Sequence, residues 1–126
     1  MTPAARVAEA IGLLEAAEEN QRPLDGLVQS HFRSHRFIGS KDRRAIGNLV
    51  FGVIRHHARL SWHLDRASVE PTPRSKVIAF HALAMDQPVE ALFAGDDRHG
   101  PDALSTAEAG FVGGLAGASL EPDEMP

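Results

Sequence analysis

The apolar residues of this chain recur at three- and four-residue spacings almost from end to end, and nowhere do they alternate for long enough to form a strand. That pattern restricts the fold to packed helices. Thr2-Pro3 places an N-cap residue before a proline, an order that opens a helix. Val7, Ala10, Ile11, Leu14 and Ala17 follow at helical spacing and predict a first helix over 3–19. Pro23 opens a second, with Leu24, Leu27, Val28 and Phe32 on one side. Gly39-Ser40 breaks the chain before a long third helix, where Ile46, Leu49, Val50, Val53, Ile54 and His57 share an inward face. Residues 60–67 predict a short fourth helix carrying Leu60 and Leu64. Thr72-Pro73 starts a fifth, with Val77, Ile78, His81, Ala82 and Met85 inward, and Pro88 to Phe93 a short sixth. Residues 95–103 read as a loop. Ser105 with Glu108 is a capping box that starts a seventh helix, running to about Ala116. The expectation is an all-α bundle of about seven helices, one domain over 1–118, with 119–126 the start of a linker.

At 126 residues the chain can bury one real core. It contains no cysteine, which removes disulfides, thiolate zinc sites and cysteine nucleophiles together, and mildly favours a reducing compartment. No stretch approaches the ~18 apolar residues of a membrane span, and the N-terminus lacks the basic-then-apolar pattern of a signal peptide. A cytoplasmic protein without a membrane partner is expected. No loop is built to cradle phosphate, because Gly95 to Gly100 carries acids where the phosphate would sit. The chain is therefore expected to have no catalytic residues, cofactor or metal of its own.

The net charge of −4 conceals an asymmetry. Residues 22–81 hold eleven Lys/Arg against four acids, a net of +7, and six of the seven histidines. The first 21 residues carry −3 and residues 82–126 carry −8. A basic middle between acidic ends suits an anionic partner. On a helical projection at about 100° per residue, Lys41, Arg44, Asn48, Gly52, Arg55 and, if the helix persists, Arg59 fall within about 80°, opposite the apolar face. Such a stripe can follow a phosphate backbone, since Lys and Arg displace its condensed counterions. Asn48 and Gly52 would let a ligand backbone approach closely. Arg33, Arg36 and His56 are further candidates for RNA contact. Asp42 and Arg43 point toward the core edge, where Asp42 suits the helix dipole and could hold Arg36 or another base.

Other constellations point to packing. His31 and His35 have the i, i+4 spacing of a metal clamp, but no acid or third histidine sits at a supporting position in the sequence, so partly buried or solvated histidines are the better account. Phe37, Phe51 and Trp62 could stack on bases, Phe51 best placed beside the stripe, yet a core or interdomain role is favoured for all three. Gly110, Gly113, Gly114 and Gly117 suggest close helix packing.

The run Phe37-Ile-Gly-Ser-Lys-Asp-Arg-Arg-Ala-Ile, followed by Leu49-Val-Phe-Gly-Val-Ile-Arg, resembles the N-terminal region of RsmB-type (Sun/Fmu) ribosomal RNA methyltransferases, which make 5-methylcytosine. Arg22-Pro23-Leu24-Asp25, Leu60-Ser61-Trp62, Leu104-Ser105 and Met125-Pro126 fit the same region, so the resemblance spans nearly the whole chain. It implies a fold like that of the antitermination factor NusB, serving as an RNA-binding module ahead of a catalytic domain. It also implies ribosomal RNA, of the small subunit, and the protein's own methyltransferase domain as partners. S-adenosylmethionine would be the cofactor of that domain. Family members bind it on a Rossmann-like sheet and attack cytosine C6 with a cysteine; neither element occurs in this chain, so no catalytic or cofactor residue carries over. The acidic end is expected to be a linker to that absent domain. Two other readings stay open: a stand-alone NusB-like antitermination factor, and a domain that docks on protein alone.

Overall fold

The computed structural model describes residues 1–85 and 88–120. Over these residues the chain is all-helical: α1 (Pro3–Asn20), α2 (Leu24–Ser34), α3 (Ser40–Arg55), α4 (His57–Arg66), α5 (Pro73–Ala84), α6 (Val89–Leu92) and α7 (Thr106–Gly114). The helix starts follow local chemistry. The Thr2 hydroxyl accepts from the Ala5 amide ahead of α1. Thr72 and Ser75 form a reciprocal capping box at α5, and Ser105 and Glu108 form another at α7. Each satisfies two amides that a helix leaves without partners.

The bundle is organised around α5, which packs against α1, α3, α4, α6 and α7. Val77, Ile78, Ala79, Phe80 and His81 are consecutive and all buried. A helix apolar on every side belongs in the middle of a bundle, because no face is left for water. Its neighbours close the core with one stripe each: Val7, Ala10 and Leu14 from α1, Ile46, Val50 and Val53 from α3, Leu60 and Leu64 from α4. Phe93 and Phe111 complete the far end. Arg74, at the start of α5, binds both carboxylate oxygens of Glu108 at 2.9 and 3.0 Å and also the carbonyls of Asp102 and Ala103. The guanidinium beside it holds the Glu108 carboxyl below the usual range. This clamp joins the start of α5 to the start of α7.

Four expectations need correction. The third helix ends at Arg55 and a new one begins at His57, three residues before the expected start of the fourth. One uninterrupted helix from 40 to 66 would be ~40 Å long, more than a small domain is wide; the break at His56 (φ −106°, ψ 17°) lets α4 lie along α5. His57 consequently stands exposed, and Ile54, at the edge of the apolar face, is 49% exposed. The glycines of α7 make no close helix contact: a methyl group at Gly110, Gly113 or Gly114 would meet nothing within 4 Å. Finally, the last helix ends at Gly114, and packing on the core continues without helix past 118. Leu120 packs against the core and the Ser119 carbonyl accepts from Arg59, while residues 121–126 of the expected linker lie outside the described residues.

Candidate nucleic-acid interface

The expected basic stripe divides into an open part and a closed part. Lys41, Arg44, Asn48 and Arg55 are exposed along α3. Gly52 lies on the same side of the helix but is buried, with the Phe80 ring of α5 seated on it. A methyl group there would stand 2.5 Å from the ring edge, so Gly52 serves the α3–α5 contact and offers nothing to a ligand backbone. Arg59 is also lost from the stripe. It belongs to α4, is only 5% exposed, lies 4.9 Å from the centre of the Trp62 ring and donates to the Ser119 carbonyl at 3.2 Å. The break at His56 separates it from the α3 face. His56 itself is half-buried, its ring near-parallel to Phe80 at 6.2 Å.

The sequence leaves open which base Asp42 would hold; the structure pairs it with Arg6 of α1 at 2.7 Å. That hydrogen bond is the main reason its carboxyl lies below the usual range. Arg43 is a structural staple. Its Nε donates to the Ile38 carbonyl at 2.7 Å and its Nη2 to the Phe32 carbonyl at 3.2 Å, with the guanidinium 5.5 Å from the Phe32 ring. It therefore holds together the end of α2 and the connection to α3. Above it, Arg33 and Arg36 share an open cleft of about 640 Å³ with Gln29, Phe32 and Arg43. Arg33 and Arg36 are exposed.

Among the described residues, Arg33, Arg36, Lys41, Arg44 and Arg55 have no ion-pair partner, whereas Arg6 and Arg74 are paired with carboxylates. These five lie on the second half of α2, the turn after it and the exposed side of α3, while three other exposed arginines without an ion pair among the described residues, Arg22, Arg66 and Arg98, are scattered elsewhere along the chain. Charges that face water without a partner retain their full attraction for an external anion, and an extended row of them suits a polyanion better than a single small ligand.

The aromatic residues sort differently from the expectation. Phe51 is half-buried and packed against the core. Trp62 carries two guanidiniums over its ring, Arg59 at 4.9 Å and Arg66 at 4.7 Å from the ring centre. Phe37, for which the sequence favours a core or interdomain role, is 75% exposed. Phe37 and Ile38 are adjacent apolar residues in a short connection, and the sequence does not say which of them turns inward. Ile38 does, at 1% exposure.

His31 and His35 stack at 4.2 Å, and His31 Nε2 lies 2.8 Å from a Glu9 carboxylate oxygen on α1, a partner that the sequence spacing could not reveal. No group of three or more metal-ligating side chains comes together among the described residues. No helix there is long and apolar enough to cross a membrane. No protein family, characterised protein or solved structure matches the chain.

Proposed function

We propose that this helical domain is an RNA-binding module that holds ribosomal RNA through phosphate contacts. In this reading it is a NusB-like domain that serves an S-adenosylmethionine-dependent cytosine-5 methyltransferase domain of the same polypeptide, orienting the RNA for a reaction carried out elsewhere. The observation that carries the proposal is the set of five exposed, unpaired cations on α2, α3 and the turn between them, in a chain whose overall charge is −4. The resemblance of residues 37–46 and 49–55 to RsmB-type enzymes supplies the choice of RNA and of the catalytic partner. Lys41, Arg44 and Arg55 would follow the backbone along α3, with Arg33 and Arg36 extending the contact across the end of α2 and Asn48 adding a neutral hydrogen bond. Contacts of this kind position a nucleic acid without reading its sequence. That division of labour fits a module whose partner domain selects the base. Even weak binding suffices there, because a tethered catalytic domain works at high effective concentration.

The test is a titration with a fluorescent small-subunit ribosomal RNA fragment at several salt concentrations, comparing the native chain with Lys41→Glu/Arg44→Glu. Affinity that falls steeply with salt, and less steeply in the variant, supports phosphate contact on this face. No binding at low salt would overturn it. The second reading, a domain that docks only on protein, is favoured by one observation. Half-exposed Ile54 borders an apolar cleft of about 420 Å³ with Leu14, Leu24 and Val53, and such a surface is better suited to a protein than to phosphates.

A further inference from the structure

We infer that Phe37 is a base-stacking residue, and that the nucleic acid bound by this surface presents an unpaired base, as a single strand, loop or bulge does, in place of a continuous duplex. The inference rests on the RNA-binding reading above and adds the structural class of the RNA.

The geometry begins with the connection between α2 and α3. The Ile38 amide donates to the His35 carbonyl at 3.0 Å, closing a tight turn whose two corner residues are Arg36 and Phe37. The turn is held from both sides. Ile38 is buried in the core, and Arg43 grips the carbonyls of Phe32 and Ile38. Its corner is therefore presented on a fixed support, and Phe37 loses little backbone freedom when something lands on it. The ring is 75% exposed and makes a T-shaped contact with His35, the ring centres 5.8 Å apart. A phenylalanine held in water at a turn corner contributes almost nothing to folding, since burial is what makes an aromatic ring stabilising.

The surroundings decide between partners. A protein-docking patch gathers several apolar side chains at its centre and places polar groups at the rim. Around Phe37 the exposed neighbours in sequence are Arg33, Ser34, Arg36, Gly39, Ser40 and Lys41, cations and small polar residues, and the other exposed large apolar residues, Met1, Ile54 and Met85, lie far from it in sequence. An isolated aromatic ring beside free cations is the arrangement that proteins use on unpaired nucleotides, where the ring stacks on the base and the cations take the phosphates. In a continuous duplex the bases are already stacked on each other and offer no face to the ring. Arg36, the other corner of the turn, is placed to meet the phosphate of the nucleotide whose base covers Phe37.

The experiment compares Phe37→Ala, Phe37→Leu and Phe37→Trp with the native chain on two fluorescent probes: a ten-nucleotide single-stranded RNA of mixed sequence and a ten-base-pair RNA duplex. Phe37→Ala is expected to lose about tenfold or more in affinity for the single strand, the scale of one base–aromatic stack. Its affinity for the duplex should change less than twofold. Phe37→Leu should behave like Phe37→Ala, because it keeps apolar area without a π face, and Phe37→Trp should bind at least as well as the native chain. The slope of affinity against salt should be the same in all four, since no phosphate contact is lost. Variants that bind both probes as the native chain does would overturn the stacking role and assign Phe37 to a protein partner, leaving the phosphate contacts standing. An equal loss on both probes would overturn it too. A native chain that binds neither RNA at low salt would overturn the RNA reading itself. All variants are expected to melt with the native chain, because the ring is outside the core.

Discussion

In the first half of α3, Lys41, Arg44 and Asn48 stand in water; in the second, Gly52 lies under Phe80, and beyond the break Arg59 is folded into the contact between α4 and the end of the chain. On a helical projection all five positions lie on one side. What separates them is the Phe80 ring of α5, which covers Gly52, and the break at His56, which carries Arg59 away from the α3 face; Arg55, between the two, stays exposed. The comparison teaches that a polar stripe reports a direction around the helix axis, and that exposure is settled by whichever neighbour covers that direction. The same kind of side chain then does opposite work. An arginine in water is free to attract an anion, while one held at 5% exposure is committed to its internal contacts.

The largest expected effect lies in α5, which closes the buried half. His81 is 1% exposed, and burial pushes its pKa down to about 4 from an ordinary 6.5. Between those values the unfolded chain takes up the proton and the folded one resists it. The stabilising contribution is complete above about pH 6.5 and is lost as the pH falls through 4. The loss should amount to about 3 kcal/mol. Urea melts at pH 7, 5 and 4 would measure it, and His81→Leu should flatten this part of the profile. Its two ring nitrogens have no hydrogen-bond partner among the described residues, so the leucine should also cost little at pH 7. A His81→Leu profile as steep as the native one would assign the acid sensitivity to other groups.

Arg59→Ala comes next. It should destabilise by about 2 kcal/mol, from the lost bond to Ser119 and the lost packing on Trp62. RNA affinity of the folded fraction should not change. A variant of native stability with weakened RNA binding would return Arg59 to the stripe. Gly52→Ala should follow, at about 1–2 kcal/mol. The gain in helix propensity is outweighed by the shift forced on the buried Phe80 ring. If Gly52→Ala melts higher than the native chain, α5 does not press on α3 as described. Smallest in stability is Arg44→Ala in the open half, within ~0.5 kcal/mol of native. Its signature lies elsewhere: the slope of log affinity against log salt for single-stranded RNA should fall by ~0.7 for the one phosphate contact removed. An unchanged slope would move the RNA off this part of α3.

Much of the fold is written in local chemistry that a reader of the sequence can follow. The starts of α1, α5 and α7 depend on residues two or three positions apart, and the structure places Thr2, Thr72 and Ser105 as caps where the sequence indicates them. The candidate site is legible in part. Lys41, Arg44, Asn48 and Arg55 are exposed on one side of α3, as the projection indicates, and Arg33 and Arg36 are exposed at the end of α2. Gly52, Arg59, Ile54 and His57 are misplaced by the same projection, because it assumes an unbroken helix and a cover spread evenly along it.

The sequence by itself therefore determined that this protein is helical, where most helices begin, most of the residues of α1, α3 and α5 that form the core (Ile54, His57 and Met85, expected inward, are exposed), and that its bases lie in the middle of the chain. These properties depend on spacing, on caps reached within one turn and on composition, and each is a short-range interaction. Only the tertiary structure decided that the helix breaks at His56, where no glycine or proline marks the place, that Asp42 pairs with Arg6 from 36 residues away, and that Ile38 turns inward and leaves Phe37 in water. Each of these depends on which surface a distant element covers. The energy of covering a side chain exists only once the two elements have met.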